Sequence, residues 1–158
     1  MYGKPKLATA TVAGLSLKGR ALRLLAAREQ SRTELERKLA PHEETPGQLA
    51  QVLDELQGKD FINETRVVDS VLNRRAARFG TARVRHELLG KGLDTALVLE
   101  AVQGLKATEF ERAREVWRKK FGSPAAGPAE RAKQMRFLAA RGFGADAIRR
   151  VVLQPRDD

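Results

Sequence analysis

The chain has 158 residues and a formal net charge of +10, with 30 lysines and arginines against 20 acidic residues. It has no cysteine and only two histidines, which excludes a disulfide scaffold, thiolate metal sites and cysteine nucleophiles. The hydrophobic fraction of 42% is enough for a folded core, and no apolar run reaches the roughly 20 residues of a membrane helix. We therefore expect a cytoplasmic protein with no membrane association.

The first three predicted helices follow from apolar stripes and capping residues. The first helix carries a stripe of residues at helical spacing, namely Leu17, Ala21, Leu24 and Leu25. Ser31 and Glu34 have the spacing of a capping box, which predicts the start of a second helix. Thr45 as N-cap and Pro46 at the first helical position predict the start of a third.

Six further helices are predicted from the same kinds of pattern. The N-caps expected for the first four of them are Asn63, Thr81, Asp94 and Thr108. Thr108 and Glu111 form a second predicted capping box, and the helix after Asn63 is expected to continue to Phe79. A connector rich in Gly and Pro, residues 122–128, precedes the last two helices. No strand of useful length is predicted, so the fold class is all-α.

A weak internal repeat groups the nine helices into three trios. Five positions recur 50 residues later in the chain, where Leu88, Gly92, Leu93, Val98 and Val102 become Leu138, Gly142, Phe143, Ile148 and Val152. Repeats of this kind stack on their neighbours, which predicts three tandem three-helix repeats in an elongated, curved array. The predicted parts are a flexible tail and three repeats, at residues 1–15, 16–62, 63–106 and 107–158.

No catalytic constellation is present in the sequence. The chain lacks a GxxxxGK[ST] loop, a GxGxxG loop and a GxSxG motif, and its carboxylates do not gather with a metal-binding spacing. His86 stands beside Arg85 on a basic helix, where a surface histidine is expected rather than a general base. We predict no enzymatic activity, no cofactor and no metal. Trp117 is in step with Phe110 and Phe121, which predicts that it fills the core.

Basic residues accumulate in the middle trio. The candidate contact residues for phosphate or an acidic groove are Arg74, Arg75, Arg78, Arg83, Arg85 and Lys91. Only Glu87 opposes them within that stretch. Arg74 and Arg78 are one helical turn apart and are predicted to share a face. The planar fork of arginine suits phosphate, although an ordinary solvated surface would have the same composition.

Three stretches of the chain resemble one protein family, the bacterial RecX regulatory proteins. The likeness is carried by residues 21–35 (ALRLLAAREQSRTEL) with Lys38 and Leu39, by residues 61–66 (FINETR) followed by Arg74, Gly80, Arg83, Val84, Glu87, Leu88, Gly92 and Leu93, and by residues 136–143 (RFLAARGF) followed by Ile148, Val151 and Val152. One departure is Val67-Val68, where the family often has Phe-Ala.

The resemblance implies an all-α, non-enzymatic regulator that binds RecA recombinase and RecA–DNA filaments. Such binding would limit strand exchange, ATP hydrolysis and co-protease activity, and so affect recombination, DNA repair and the SOS response. The net charge adds an expectation of weak, sequence-independent nucleic-acid binding, and we expect a monomer. The alternative is a helix-turn-helix transcription regulator. Its nearest candidate for a recognition helix is residues 83–86 (RVRH), which lack an Asn or Gln to pair with adenine.

Overall fold

The computed structural model describes residue 3 and residues 14–153. Within these residues the chain forms nine α-helices and one short 3-10 helix, and no strand. The helices are α1 (Leu17–Ala27), α2 (Arg32–Leu39), α3 (Gln48–Gly58), α4 (Glu64–Arg75), α5 (Thr81–Gly90), α6 (Thr95–Ala107), α7 (Glu109–Lys120), α8 (Pro128–Ala140) and α9 (Ala145–Val152), with the 3-10 helix at Ala40–His42. The all-α prediction is confirmed.

Among the described helices, none is both long and apolar enough to cross a membrane. Most of the predicted tail, residues 1–15, lies outside the described residues.

Two predicted caps are confirmed by hydrogen bonds. The Ser31 hydroxyl accepts from the Glu34 N–H at 3.1 Å, and the Glu34 carboxylate accepts from the Ser31 N–H at 3.1 Å, which completes the capping box of α2. The Asn63 side chain accepts from the Arg66 N–H at 3.0 Å at the start of α4. Both caps use side chains only three residues away from the donor, so sequence spacing was sufficient to find them.

The predicted start of α3 is wrong. The helix begins at Gln48, and its N-cap is Gly47 with a positive φ of 87°, so neither Thr45 nor Pro46 has the predicted role. The Leu49 N–H at this end donates to the Glu43 carboxylate at 2.8 Å instead. A carboxylate two residues before the predicted cap therefore satisfies the first turn.

The second predicted capping box is also wrong. Thr108 precedes α7 but makes no side-chain cap; its hydroxyl instead accepts from Arg112 Nε at 3.1 Å. The helix that was predicted to continue from Asn63 to Phe79 is shorter, because α4 ends at Arg75 and residues 76–79 form a turn. As a result Arg78 lies in a turn and not on the helical face that was predicted for it with Arg74.

The described chain divides into two compact units. The first contains the described residues up to 70 together with residues 91–94, and the second contains residues 71–90 and 95–153. In the first unit, α1, α2 and α3 pack around a core of leucines in which Leu25, Leu35, Leu53 and Leu56 are fully buried. The apolar stripes of the sequence therefore form this core.

The second unit has its main core among α7, α8 and α9. The buried residues of that core are Ala113, Val116, Leu138, Phe143, Ala147, Ile148 and Val151. Trp117 packs against it, as predicted, and its indole N–H donates to the buried Gln134 side chain at 2.9 Å. An indole N–H that is partly removed from water needs such an acceptor, so Gln134 explains how Trp117 can pack against the core.

Each unit contains one copy of the same close approach between a glycine turn and a helix start. Gly92 has φ 64°, and a Cβ there would overlap the Thr33 side chain at the start of α2. Gly142 has φ 90°, and a Cβ there would overlap Arg83 at the start of α5. Thr33 and Arg83 are 50 residues apart in the sequence, and so are Gly92 and Gly142. The sequence repeat thus corresponds to a repeated packing arrangement.

Replacing Gly80 by alanine is expected to destabilise the second unit by about 1–3 kcal/mol, as overpacking does. The Gly80 N–H donates to the Arg141 carbonyl at 2.7 Å, and a Cβ on Gly80 would overlap the backbone of Gly142. Urea denaturation of the two proteins measures the difference. Gly90→Ala is the matched control, because a Cβ there meets nothing within 4 Å. An equal loss of stability in both variants would contradict the close-packing explanation.

Candidate anion-binding surface

Four guanidinium groups surround the ring of Phe79 in the second unit. The guanidinium carbons of Arg83, Arg141, Arg75 and Arg78 lie 4.2, 5.3, 5.6 and 5.8 Å from the ring centroid. Phe79 itself is only 8% exposed. Cations within about 6 Å of an aromatic face are attracted to it, so the ring holds the four charges close together. We call this set of four arginines and Phe79 the Phe79 arginine cluster.

The turn between α4 and α5 brings the cluster together. The Phe79 N–H donates to the Arg75 carbonyl at 2.9 Å, which closes the turn directly after α4. Arg83 follows in the first turn of α5, and its guanidinium donates to the Ala140 carbonyl at 3.3 Å. Arg141 comes from the end of α8 and donates to the Arg78 carbonyl at 3.4 Å. Distant parts of the sequence therefore contribute to one surface.

A half-buried arginine on α7 holds this turn in place. The Arg112 guanidinium donates to the carbonyls of Ala76 at 2.9 Å, Phe79 at 2.6 Å and Leu105 at 2.8 Å, and to the Thr81 hydroxyl at 3.1 Å. Burial lowers the pKa of Arg112, and the negative charge of Glu109, which raises this pKa, offsets the effect only in part. Arg112 thus orders the backbone that presents the cluster.

Glu109 completes the support from α7. Its carboxylate accepts from the Thr81 N–H at 3.0 Å, so it caps α5 from a distant part of the chain. Thr81, the first residue of α5, is only 5% exposed.

The positive charges of the cluster are poorly balanced. Within residues 14–153, Arg75 is the only one of the four whose guanidinium lies within 4 Å of a carboxylate, at 3.3 Å from Glu87. The Arg75 Nε is enclosed and has no hydrogen-bond partner among the described residues. A surface pocket of about 210 Å³ lies here, lined by Arg75, Arg83 and His86 but also by Glu87, the carboxylate that lies beside Arg75. Its chemistry suits an anion.

The predicted candidates fall into three groups in the structure. Arg75, Arg78 and Arg83 belong to the cluster. Arg74 and Arg85 are exposed on α4 and α5, and neither is among the described contacts with the Phe79 ring. Lys91 is separate from all of them, because it belongs to the first unit.

Lys91 is buried, which corrects its assignment to the candidate contact residues for phosphate or an acidic groove. Its side chain is 9% exposed and its ammonium lies 3.0 Å from the Glu34 carboxylate, which is 8% exposed. Glu34 also accepts from Arg28 at 3.3 Å. Burial opposes ionisation of Glu34, but the Ser31 hydrogen bond, Lys91 and Arg28 together lower the pKa of its carboxyl below the ordinary value. Lys91 is thus a partner in an internal ion pair.

Sequence reasoning missed Arg141 and Arg112. The repeat did contain an indication of Arg141, because this residue stands 50 positions after Lys91 and directly before the equivalent glycine. No sequence pattern indicated Arg112. Among the described residues, no cluster of three or more His, Asp or Glu side chains is placed to hold a metal.

Comparisons with known proteins identify relatives along most of the chain. Two family models match, described as the first three-helix domain of RecX at residues 18–56 and the third three-helix domain of RecX at residues 107–152. The chain is 55% identical to a "Regulatory protein RecX" from Leptothrix cholodnii over 138 residues, which are 87% of this chain and 88% of that protein. It is 47% identical to one from Ralstonia nicotianae, with 87% of each chain covered.

A solved structure shows the same fold. The crystal structure of RecX from Lactobacillus salivarius superposes with a TM-score of 0.68, over 85% of this chain and 91% of that one, at 18% sequence identity. The identity is low, so this likeness concerns the fold alone.

Proposed function

The chain belongs to the RecX family of regulatory proteins, and from that premise we propose that it binds RecA recombinase and RecA–DNA filaments without catalysing a reaction. Binding modulates, and mainly inhibits, strand exchange, ATP hydrolysis and co-protease activity, and thereby DNA repair and the SOS response. The observation that carries the proposal is the Phe79 arginine cluster, with three guanidiniums that have no carboxylate partner among residues 14–153.

The cluster supports a contact with phosphate or with carboxylates of a filament groove. Guanidinium groups donate pairs of hydrogen bonds to either anion, and the support from Arg112 keeps the turn ordered before binding. The proposed contact also includes Arg74 and Arg85, which are exposed on α4 and α5. The protein acts as a monomer in the cytoplasm in this proposal.

Titration of RecA ATP hydrolysis on single-stranded DNA tests the proposed function. Adding the protein should lower the hydrolysis rate in a saturable manner, and the effect should be the same on DNA of different sequences. A rate that does not change at any protein concentration would overturn the proposal. Strand exchange and co-protease assays on the same samples show whether all three activities respond together.

Nucleic-acid binding in the absence of RecA is expected to be weak and strongly dependent on salt. Each phosphate neutralised releases counterions, which gives a log–log slope of about −0.7 for single strands and −0.9 for duplexes. The net charge of +10 and the unbalanced arginines motivate this expectation. Fluorescence anisotropy of a labelled oligonucleotide at several salt concentrations measures the slope. Affinity that is independent of salt would contradict phosphate contacts.

The helix-turn-helix alternative predicts that α5 reads bases in a major groove. A recognition helix presents its N-terminal residues to the bases. Here Thr81 is buried, its N–H is bound by Glu109, and Arg83 lies over Phe79. These contacts disfavour the alternative. Competition between duplexes of different sequence distinguishes the two, because only a transcription regulator would prefer one sequence strongly.

A further inference from the structure

A second basic surface lies in the first unit, around a pocket of about 290 Å³. Three leucines, Leu15, Leu24 and Leu39, form its apolar floor. Three basic side chains, Arg20, Arg23 and Lys38, also line it, together with His42. Its size is close to the lower end of ordinary ligand pockets, which is room for one or two side chains rather than a cofactor.

Local structure explains why apolar and basic side chains meet here. Arg20, Arg23 and Leu24 share one face of α1, since they are three and four residues apart. Lys38 and Leu39 end α2, and the 3-10 helix then brings His42 to the same place. Leu39 is 2% exposed and belongs to the leucine core, and the partly buried Leu24 packs against that core.

The edge of the pocket has an excess of positive charge. Burial, and after it the charge of Arg28, lowers the pKa of Lys38; Lys91 adds to this effect, while Glu34 opposes it. The Lys38 ammonium donates to the buried Gln30 side chain at 2.8 Å, which fixes its position. Among residues 14–153 no carboxylate lines the pocket, and Glu34 already binds Arg28 and Lys91. An incoming anion would relieve this repulsion.

We propose that this pocket docks an acidic protein segment that inserts an apolar side chain between flanking Asp or Glu residues. The leucine floor takes the apolar side chain, and Arg20, Arg23 and Lys38 take the carboxylates. A phosphate backbone would satisfy the edge but leave the floor without a partner, which is why a protein segment fits better. The inference concerns a surface other than the Phe79 arginine cluster, so either can fail without the other.

The test uses the full chain and a fluorescein-labelled peptide, Asp-Glu-Leu-Phe-Glu-Asp, in an anisotropy assay without RecA or DNA. Replacing Leu-Phe in the peptide by Ser-Ser should weaken binding about tenfold or more, since the apolar contact is lost. Equal binding of the two peptides would overturn the proposal, because it would show general attraction to a basic protein.

Protein variants locate the site. Arg20→Glu with Lys38→Glu should weaken peptide binding about tenfold or more, because two attractive charges become repulsive. The matched control is Lys106→Glu with Lys133→Glu, which changes the net charge equally at exposed positions of α6 and α8 and should leave binding within about twofold. Arg78→Glu with Arg83→Glu should likewise retain the peptide. Equal losses in all three variants would contradict a localised site.

A variant that leaves the charge unchanged keeps the proposal testable if the Arg20→Glu, Lys38→Glu variant unfolds the first unit. Leu15→Ser alters only the half-buried edge of the floor and should weaken the Leu-Phe peptide but not the Ser-Ser peptide. Oligo-dT is the competitor that represents nucleic acid. If oligo-dT displaces the peptide from the wild-type chain, and the Arg20→Glu, Lys38→Glu variant loses both ligands together, the pocket is a nucleic-acid site and the proposal is wrong.

Discussion

Replacing Arg78 and Arg83 together by glutamate is expected to abolish the suppression of RecA ATP hydrolysis while the protein stays folded. Both side chains are exposed and both guanidiniums lie over Phe79, so two attractive charges of the cluster become repulsive. Loss of one desolvated charge contact at an interface costs about 2–5 kcal/mol, which is a loss of affinity of roughly 30-fold or more. A single Arg→Ala change at an exposed site costs only about 0–1 kcal/mol.

The measurement is the ATP hydrolysis rate of RecA on single-stranded DNA, titrated with each variant. Lys106→Glu with Lys133→Glu carries the same change of net charge and should suppress hydrolysis almost as well as the wild type. Thermal unfolding controls for loss of fold; only a small decrease in Tm is expected, because a cation–ring contact contributes about 0.5–1 kcal/mol at exposed sites. Undiminished suppression by a folded Arg78→Glu, Arg83→Glu variant would show that the cluster is only a solvated surface.

Replacing Lys91 by alanine is expected to destabilise the first unit by about 3–5 kcal/mol, because it leaves the buried Glu34 carboxylate without its ammonium partner. Lys59→Ala is the matched control. Lys59 also lies 3.0 Å from a glutamate, Glu55, but those side chains are 59% and 40% exposed. Its loss should cost no more than about 1 kcal/mol. Urea denaturation at neutral pH measures both; similar losses would contradict the role assigned to burial.

Acid titration gives an independent measure of the same ion pair. The pKa of Glu34 is lower in the folded chain than its ordinary value, so its charged form favours folding. That contribution is fully present above the unfolded pKa of about 4.3 and is lost as the pH falls through the lower folded pKa. A Glu34→Gln variant should therefore lose less stability than the wild type between neutral pH and pH values below about 4. Identical pH profiles would contradict the interpretation.

Structural features that depend on residues close to one another in the sequence could be predicted from the sequence. The all-α class, the capping box of Ser31 and Glu34, and the Asn63 cap follow from apolar spacing and from donors three residues away. The start of α3 was mispredicted because a competing carboxylate, that of Glu43, reaches its first turn. An orphan N–H accepts any well-placed oxygen, and the sequence does not show which one the fold will bring near.

Two basic residues at equivalent positions of the repeat differ in burial and in contacts, and only the tertiary structure determines this difference. The 50-residue repeat makes Lys91 and Arg141 equivalent, since each directly precedes a glycine with positive φ. Lys91 contacts Glu34, which is 57 residues away, and is buried. The position equivalent to Glu34 is Val84, which offers Arg141 no carboxylate. Arg141 instead lies over Phe79 and Phe137, because a guanidinium without an anion is stabilised by aromatic faces and solvent at the surface.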